Sequence, residues 1–132
     1  MPLDQTTAKQ VLDHLHGKAA MAMPTGHRLR LMTVSGDAST YGTEVASGGG
    51  YVSGSGAPLL ELGVATLATP SVSATTAAVT ITSWPRLEDI VGGEVWSDAP
   101  QRLEYGDFDA PIPMDIGDTL TIAIGDVAAQ MQ

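Results

Sequence analysis

The segment from His27 to Val34 reads HRLRLMTV, and its alternating pattern decides the fold class. Successive side chains of an extended chain point to opposite faces, so Leu29 and Leu31 share one face. Arg28 and Arg30 share the other face, which makes the segment apolar on one side and charged on the other. This pattern predicts a β-strand that is buried on one face only.

Segments of similar character recur along the chain and predict further strands. They are Leu59–Leu67 with Gly63 inside it, Ala77–Trp84, Ile90–Trp96, Arg102–Phe108 and Thr119–Ile124. We expect turns at Ser97–Gln101 and at residues 115–118, and we expect Pro111 and Pro113 to break the strand pattern. Short strands at a spacing of roughly 10–15 residues are typical of a sandwich. We therefore predict a mainly β fold, a single antiparallel β-sandwich of jelly-roll type that spans residues 1–132.

Residues 1–17 predict an N-terminal helical arm. Apolar side chains recur there at the spacing of one helix face, at Ala8, Val11, Leu12 and Leu15. Thr7 and Gln10 have the form of a capping box, Asp4 is an alternative N-cap, and Gly17 suits the C-terminal end. A helix of this length is only marginally stable in isolation, and we therefore expect its apolar stripe to pack against the sheet.

Residues 35–56 are rich in Gly, Ser and Thr and predict a long loop with Gly48–Gly50 at its centre. Few side chains in this loop are large enough to anchor it: Tyr41, Val45, Tyr51 and Val52. We expect the loop to be ordered by contact with its neighbours.

The charge of the chain is strongly acidic. Asp and Glu number 15 against 6 Lys and Arg, which gives a net charge of -9. Ten of these carboxylates lie between Glu88 and Asp126, where Arg102 is the single basic residue. A surface of this sign repels the phosphate backbone, so we predict no nucleic-acid partner. It can keep a crowded protein soluble or dock on a basic partner.

The sequence also limits the compartment and the chemistry. It contains no cysteine, so it has neither a disulfide framework nor a thiolate site, which is consistent with a reducing cytoplasm. Its first residues lack the basic and apolar regions of a signal peptide, and we expect none. No segment approaches the roughly 20 apolar residues of a membrane span, so we predict no membrane partner.

Four carboxylates form the densest group of candidate metal ligands: Asp107, Asp109, Asp115 and Asp118. A calcium ion needs about six to eight oxygens around one point, and Pro111 and Pro113 divide this group. His14 and His16 are two residues apart on the predicted helix and lie on different faces, and His27 has no obvious partner. We predict a solvated loop edge and no metal site.

No segment has the pattern of a catalytic or cofactor site. Val52–Gly56 contains Gly and Ser without the strand–turn–helix context of a nucleophile elbow. Gly48–Gly50 lacks the Lys and Ser or Thr of a phosphate loop. We therefore expect no catalytic residue and no cofactor. Trp84 and Trp96 fit a sugar-stacking pair, but aromatic residues make up only 5% of the chain, which favours a role in the core or at a subunit interface.

Several segments occur in an order that is similar to a known family. They are Leu12–Gly17, Leu29–Val34, Gly42–Tyr51, Thr76–Trp84, Tyr105-Gly106, Pro111 and Ile116–Leu120. This order resembles a family of small β-sandwich proteins from tailed phages, often labelled tail fibre or minor structural proteins. The most specific parts are Gly-Thr-Glu-Val…Gly-Gly-Gly-Tyr (42–51) and Gly-Asp-Thr-Leu (117–120), and the matches span nearly the whole chain. The chain departs from the pattern at Gly54, Gly56 and Pro58, and over residues 86–94.

The resemblance implies a non-enzymatic virion protein made in the cytoplasm of the bacterial host. A compact module of 132 residues lacks the heptads of a fibre shaft, so we favour a decoration or minor capsid protein that stabilises the shell from outside. The expected partners are the major capsid protein or other virion proteins, and further copies of the chain in a closed oligomer, with a trimer favoured.

The side chains expected to contact the shell or a sister subunit are Val11, Leu15, Tyr41, Val45, Tyr51, Trp84 and Trp96. Two alternatives remain open at the level of the sequence. One is a tail-associated or tail-fibre module in which Trp84, Trp96 and Tyr105 face host sugars. The other is a small cell-wall hydrolase, which would need two carboxylates about 5–10 Å apart across a groove.

Overall fold

The structure is a computed structural model that describes residues 1–65, 71–123 and 125–131. The described part of the chain is mainly β with one short α-helix, as the sequence predicts. Its elements are α1 (Gln5–Leu15), β1 (Arg28–Val34), β2 (Thr43–Glu44), a 3-10 turn (Gly54–Gly56), β3 (Ser71–Ala74), β4 (Val79–Ile81), β5 (Glu88–Trp96), β6 (Arg102–Met114), β7 (Leu120–Ile122) and β8 (Ala128–Met131).

The strands pair into antiparallel sheets. The largest has four strands in the order β2-β1-β5-β6, and two further pairs are β3-β8 and β4-β7. In the large sheet Leu29 lies opposite Val95, and Leu31 lies opposite Gly93. The predicted alternation of β1 is confirmed, because both leucines are buried and the arginines beside them are only partly buried.

One apolar cluster is shared by the large sheet and the β4-β7 pair. Its buried members are Leu29, Leu31, Val45, Tyr51, Leu60, Ile81, Trp84, Ile90, Val95, Met114, Leu120, Ile122 and Val127. Each aliphatic side chain of this kind contributes roughly 1.5–3 kcal/mol when it is fully removed from water. The strands of the two sheets therefore stabilise each other through this core.

The predicted strand at Leu59–Leu67 is wrong over its described part. Leu59 and Leu62 each form a single bridge, and no strand runs between them. Leu60 is buried in the core and Leu62 packs against it, whereas Leu59 and Val64 are 57% and 95% exposed. The segment therefore contributes to the core but pairs with its neighbours through isolated bridges instead of a continuous strand. Residues 66 and 67 lie outside the described residues, as does Ile124 at the end of the predicted last strand.

The strand at Arg102–Phe108 continues further than predicted. β6 runs through Pro111 and Pro113 to Met114, so the prediction that these prolines end the strand is wrong. The register against β5 does shift between Asp107 and Ile112, so the pairing is irregular where Pro111 lies. β6 is the edge of its sheet, and an edge strand tolerates a missing N–H that a central strand would need. The turns at Ser97–Gln101 and residues 115–118 are confirmed by hydrogen bonds of 2.9 and 3.1 Å across them. β3 and β8 were not predicted.

The helix begins one turn earlier than a capping box at Thr7 would place it. Asp4 is the N-cap, and its Oδ1 accepts hydrogen bonds from the backbone of Thr6 and Thr7. The expectation that the apolar stripe packs on the sheet is wrong for Leu12 and Leu15, which are 54% and 69% exposed, whereas Ala8 and Val11 are partly buried. Thr7 is the buried residue of the helix. No helix in the described part of the chain is long and apolar enough to cross a membrane.

Candidate functional site

A buried ion cluster lies on the face of the large sheet opposite the apolar core. Its centre is Arg102 in β6, whose side chain is fully buried. Asp4 Oδ2 lies 2.7 Å from Arg102 Nη2, and Glu94 Oε2 lies 2.9 Å from Nη1. Burial alone would lower the pKa of Arg102, but the hydrogen bonds and charges of Asp4 and Glu94 outweigh it and raise that pKa. Arg102 therefore stays charged.

The ion cluster joins separate parts of the chain. Arg102 also donates to the carbonyl oxygens of Asp37 and Thr40 in the long loop. Glu94 in β5 accepts a hydrogen bond of 2.8 Å from the backbone of Gly42. Because Asp4 caps α1, one arginine holds the N-terminal arm, the loop and two strands together. Every charged atom of the cluster is satisfied within the chain, so it has the character of a structural support.

An aromatic group with one arginine lies beside this cluster. The guanidinium of Arg30 stacks on Trp96 with 4.0 Å between its central carbon and the ring centroid. Tyr41 approaches the same indole edge-on, with ring centroids 4.9 Å apart. Trp96 is 8% exposed, whereas Tyr41 is 60% exposed. The group therefore reaches the surface at Tyr41 and Arg30.

Within the Gly-rich loop, Glu44 and Tyr51 form a clamp. The Tyr51 hydroxyl donates to Glu44 Oε1 at 2.9 Å and accepts from the backbone N–H of Leu31 at 3.0 Å. Glu44 also accepts from the backbone of Gly54. Burial is the main cause that raises the pKa of Tyr51 far above its usual value, so its hydroxyl keeps its proton and remains a donor. The clamp ties the loop to β1.

The glycines of this loop permit a close backbone approach. A Cβ on Gly49, whose φ is +52°, would lie 1.8 Å from the carbonyl oxygen of Ser83. The N–H of Gly50 donates to the Thr82 carbonyl at 3.0 Å. Glycine is required at position 49 both by the left-handed conformation and by the space.

A groove with a volume of about 710 Å³ lies between α1, the 19–25 segment and the turn after β5. Its acidic side chains are already paired, since Asp13 contacts Lys9 and Asp98 contacts Arg28. A general acid–base pair needs carboxylates free to exchange protons with a substrate. This groove offers no such pair among the described residues.

A second cavity of about 350 Å³ contains Glu104. Burial raises the pKa of the Glu104 carboxyl, and the positive N-terminal amine opposes that shift. His27 and Ser73 line the same cavity. The Glu104 carboxyl accepts no hydrogen bond from a described residue, so nothing there positions it for proton transfer.

The predicted interface residues divide into two groups. Leu15 and Tyr41 are exposed and Val11 is partly buried, so these three are accessible to a partner. The other four are not surface residues: Val45, Tyr51 and Trp84 are 1% exposed, and Trp96 is 8% exposed. An apolar side chain in a loop or just after a strand can pack inside the protein or against a partner. These four side chains pack inside the protein. Trp84 and Trp96 are also too buried to stack on sugars.

The candidate metal ligands are not brought together. Asp107 and Asp109 are exposed on β6, whereas Asp118 caps the turn by accepting from the Asp115 backbone. Over residues 1–65, 71–123 and 125–131, no group of three or more His, Cys, Asp or Glu side chains is placed to hold a metal ion. His14 accepts a hydrogen bond from the backbone of Met21 through Nδ1.

The ion cluster and the Arg30 group were not predicted from the sequence. One signal was present, because Arg102 is the single basic residue between Glu88 and Asp126. An isolated arginine among carboxylates is a natural candidate for a buried ion pair. Comparison with known proteins adds no relative: no protein-family model matches the chain, and no curated protein matches it.

Proposed function

We propose that this chain is a non-enzymatic structural protein of a tailed-phage particle, which decorates the outside of the capsid and stabilises the shell. It assembles there as a homo-oligomer, with a trimer favoured, and contacts the major capsid protein or other virion proteins. Its residues 1–132 form a single domain of β-sandwich, jelly-roll-like type. The resemblance of the sequence to small phage virion proteins is the starting point.

The observation that carries this proposal is the use of the most specific motif residues. Glu44 and Tyr51 bind each other and the backbone of Leu31, Gly49 packs against Ser83, and the Gly117 N–H donates to the Trp84 carbonyl at 2.8 Å. An enzyme motif places reactive groups where a substrate can reach them. Here the residues of the motifs hold loops against strands, as expected of a structural module.

The shared core supports the sandwich part of the proposal. The large sheet contributes Leu29 and Ile90, and the β4-β7 pair contributes Ile81 and Leu120 to the same cluster. Two antiparallel sheets that bury their inner faces against each other are what defines a sandwich. Within the N-terminal arm, Met1 packs against this core, whereas the residues of α1 are not members of it.

The arm supplies an apolar surface for a partner. Leu12 and Leu15 are exposed on α1, and Met23 in the following segment is 87% exposed. Leu12 and Leu15 are three residues apart and so lie on one face of α1, and neighbouring exposed apolar side chains of this kind are a candidate interaction surface. We therefore assign the contact with the shell to the arm.

The location is tested by imaging purified particles of the phage that encodes the chain. Density for the chain at repeated positions on the capsid surface is the expected result, whereas density confined to the tail would contradict capsid decoration. Particles without the chain should lose integrity on heating or in low salt. A defect in adsorption alone would support the tail-associated alternative.

The role of the arm is tested by a pair of substitutions. Leu12→Glu with Leu15→Glu should leave the isolated protein folded, because both side chains are exposed, but should abolish its incorporation into particles. Leu87→Glu is the matched control, since Leu87 is 77% exposed and lies outside the arm. Equal incorporation of both variants, measured by quantitative gel analysis of purified particles, would contradict the assignment of the contact to the arm.

A further inference from the structure

Arg30 differs from the other arginines of the chain in the partners of its charged group. The chain has four arginines, and three of them pair with carboxylates: Arg28 with Asp98, Arg86 with Glu88, and Arg102 with Asp4 and Glu94. Arg30 forms no ion pair with a described residue. Its Nε is also the one buried side-chain nitrogen or oxygen in the described ranges without a hydrogen-bond partner. A cation left without a partner in so acidic a chain requires an explanation.

The nearest carboxylate on the neighbouring strand cannot serve Arg30. Glu94 is the residue opposite Arg30 in the β1-β5 ladder. Its Oε1 accepts from the Trp96 indole N–H at 3.1 Å, and its Oε2 pairs with Arg102. Both oxygens are therefore engaged. Because the Nε of Arg30 is buried, a group from outside would bind the terminal Nη groups of the guanidinium.

The surroundings of Arg30 hold it ready for such a group. Stacking on Trp96 fixes the plane of the guanidinium, and Tyr41 closes one side of the indole while remaining exposed itself. A guanidinium that is already ordered loses little side-chain entropy on binding. Its planar edge matches a carboxylate, which it binds through two parallel hydrogen bonds.

Suitable carboxylates are present at the far edge of the same sheet. Arg30 lies on β1, next to the β2 edge, and β6 forms the opposite edge. Asp107 and Asp109 on β6 are exposed, and neither forms an ion pair with a described residue. Two different patches that fit each other generate a head-to-tail contact, which closes into a ring when the rotation allows.

We propose that Arg30, held in place by the buried Trp96 and flanked by the exposed Tyr41, binds a carboxylate of a second copy of this chain, supplied by Asp107 or Asp109 of β6. The contact is head-to-tail, and each copy uses its Arg30 site toward one neighbour and its β6 edge toward the other. This inference rests on the homo-oligomer of the proposed function and names the residues that join its subunits.

The experiment uses charge reversal in two separate variants of the full chain. Arg30→Glu reverses the site, and Asp107→Lys with Asp109→Lys reverses the edge. In a head-to-tail contact each variant alone meets like charge, whereas a mixture restores opposite charge wherever unlike variants meet. Unlike variants can meet at every contact of an even-membered ring and at two of the three contacts of a trimer. Sedimentation velocity at low salt should show oligomers for the wild type and for the mixture, and monomers for each variant alone. The apparent dissociation constant of each variant should rise by about tenfold or more.

Controls separate this result from misfolding and from a general charge effect. Circular dichroism and thermal melting establish that both variants are folded, and Arg30→Gln provides a milder change at the site. Lys18→Glu alters the net charge by the same amount as Arg30→Glu at an exposed residue and should leave association unchanged. A monomeric wild type, association that persists in Arg30→Glu, or a mixture that stays monomeric would each overturn the inference. Incorporation into particles is measured separately, so the proposed virion role can stand if this contact fails.

Discussion

Arg102 shows how a single residue can organise loops that have few apolar side chains. The long loop is rich in Gly, Ser and Thr, so it cannot be ordered by hydrophobic burial alone. Instead its carbonyl oxygens at Asp37 and Thr40 accept from a buried guanidinium that also holds Asp4 and Glu94. Arginine suits this task because its planar fork presents five donors in fixed directions.

Removal of Arg102 should therefore be far more damaging than removal of a surface arginine. Arg102→Met leaves two buried carboxylates without a cation and should lower the free energy of unfolding by about 3–5 kcal/mol. Arg86→Met removes a more exposed ion pair and should cost less than about 1 kcal/mol. Urea denaturation of both variants makes the comparison. Adding Asp4→Asn and Glu94→Gln to Arg102→Met should recover part of the loss, and no recovery would contradict an electrostatic cause.

The hydroxyl of Tyr51 is the second side-chain group whose removal should lower the free energy of unfolding measurably. Tyr51→Phe leaves the buried Leu31 N–H without its acceptor and Glu44 without a donor, and should cost about 1–3 kcal/mol of unfolding free energy. Tyr105→Phe is the matched control, because the Tyr105 hydroxyl makes no hydrogen bond with a described residue. Equal thermal melting temperatures for the two variants would show that the clamp does not stabilise the fold.

For single residues, the sequence predicted which side chains are important better than it predicted what those side chains contact. Tyr51 was identified as a loop anchor, but its assignment to a partner contact failed because burial of an aromatic ring depends on the tertiary arrangement. Trp84 failed for the same reason, since its ring packs in the core while its indole N–H donates to Glu88. Nothing local to Arg102 or Asp4 indicates that they meet, because 98 positions separate them.

Among the elements, α1 is attached through polar contacts. Thr7 Oγ1 donates to the Arg102 carbonyl at 2.8 Å and accepts from Gln101 Nε2 at 2.9 Å. Gln101 also donates to Gln10. Leu12 and Leu15 are left exposed, whereas in an ordinary amphipathic surface helix the large apolar side chains face the core. An element docked in this way keeps its apolar surface for another molecule.

This attachment is tested by replacing the hydroxyl with a methyl group of similar size. Thr7→Val removes one buried and one partly buried hydrogen bond and should destabilise the protein by about 1–3 kcal/mol. Thr6→Val is the matched control on the same helix, since Thr6 is exposed. The measurement is the midpoint of urea unfolding followed by circular dichroism. If Thr6→Val costs as much as Thr7→Val, helix propensity rather than docking accounts for the effect.

The strands differ in how far the sequence could predict them. β1 and β7 were predictable because the apolar positions on one face recur with the period of a strand. β5 is buried on both faces over residues 92–96, and its short apolar segments and glycines indicated a buried strand instead. β6 was predicted too short because proline was treated as a breaker, which holds for central strands but not for an edge. Leu59–Leu67 was overpredicted because apolar composition was taken as burial, although Val64 is almost fully exposed.

For the whole molecule, the sequence predicted which part of the chain carries the excess carboxylates, but it did not predict what those carboxylates do in the fold. The fold uses Asp4, Glu44 and Glu94 as internal acceptors, and it leaves Asp107 and Asp109 exposed at a sheet edge. Charged residues and prolines on β6 discourage uncontrolled pairing with another sheet edge. A carboxylate at that edge can still make the defined contact with Arg30 of a neighbour. The same strand would then prevent aggregation and direct assembly.

The stability of the whole molecule should depend on pH through Glu104. Burial raises the pKa of this carboxyl, so the folded chain holds a proton that the unfolded chain releases. The stability from this group is fully present below the ordinary value of 4.5 and is lost as the pH rises through the raised value. Glu104→Gln stays neutral throughout, so it should be more stable than the wild type at neutral pH.

That advantage should vanish in acid, below the ordinary glutamate value, where both side chains are uncharged. Urea unfolding of the two proteins at neutral and acidic pH measures the difference, with Glu61→Gln as the control because Glu61 is exposed. A stabilisation that is the same at both pH values would mean that the amide gains through packing or hydrogen bonding. If the cause is the burial of a charged carboxylate in the cavity beside His27 and Val127, Glu104→Gln should stabilise the protein only at the higher pH.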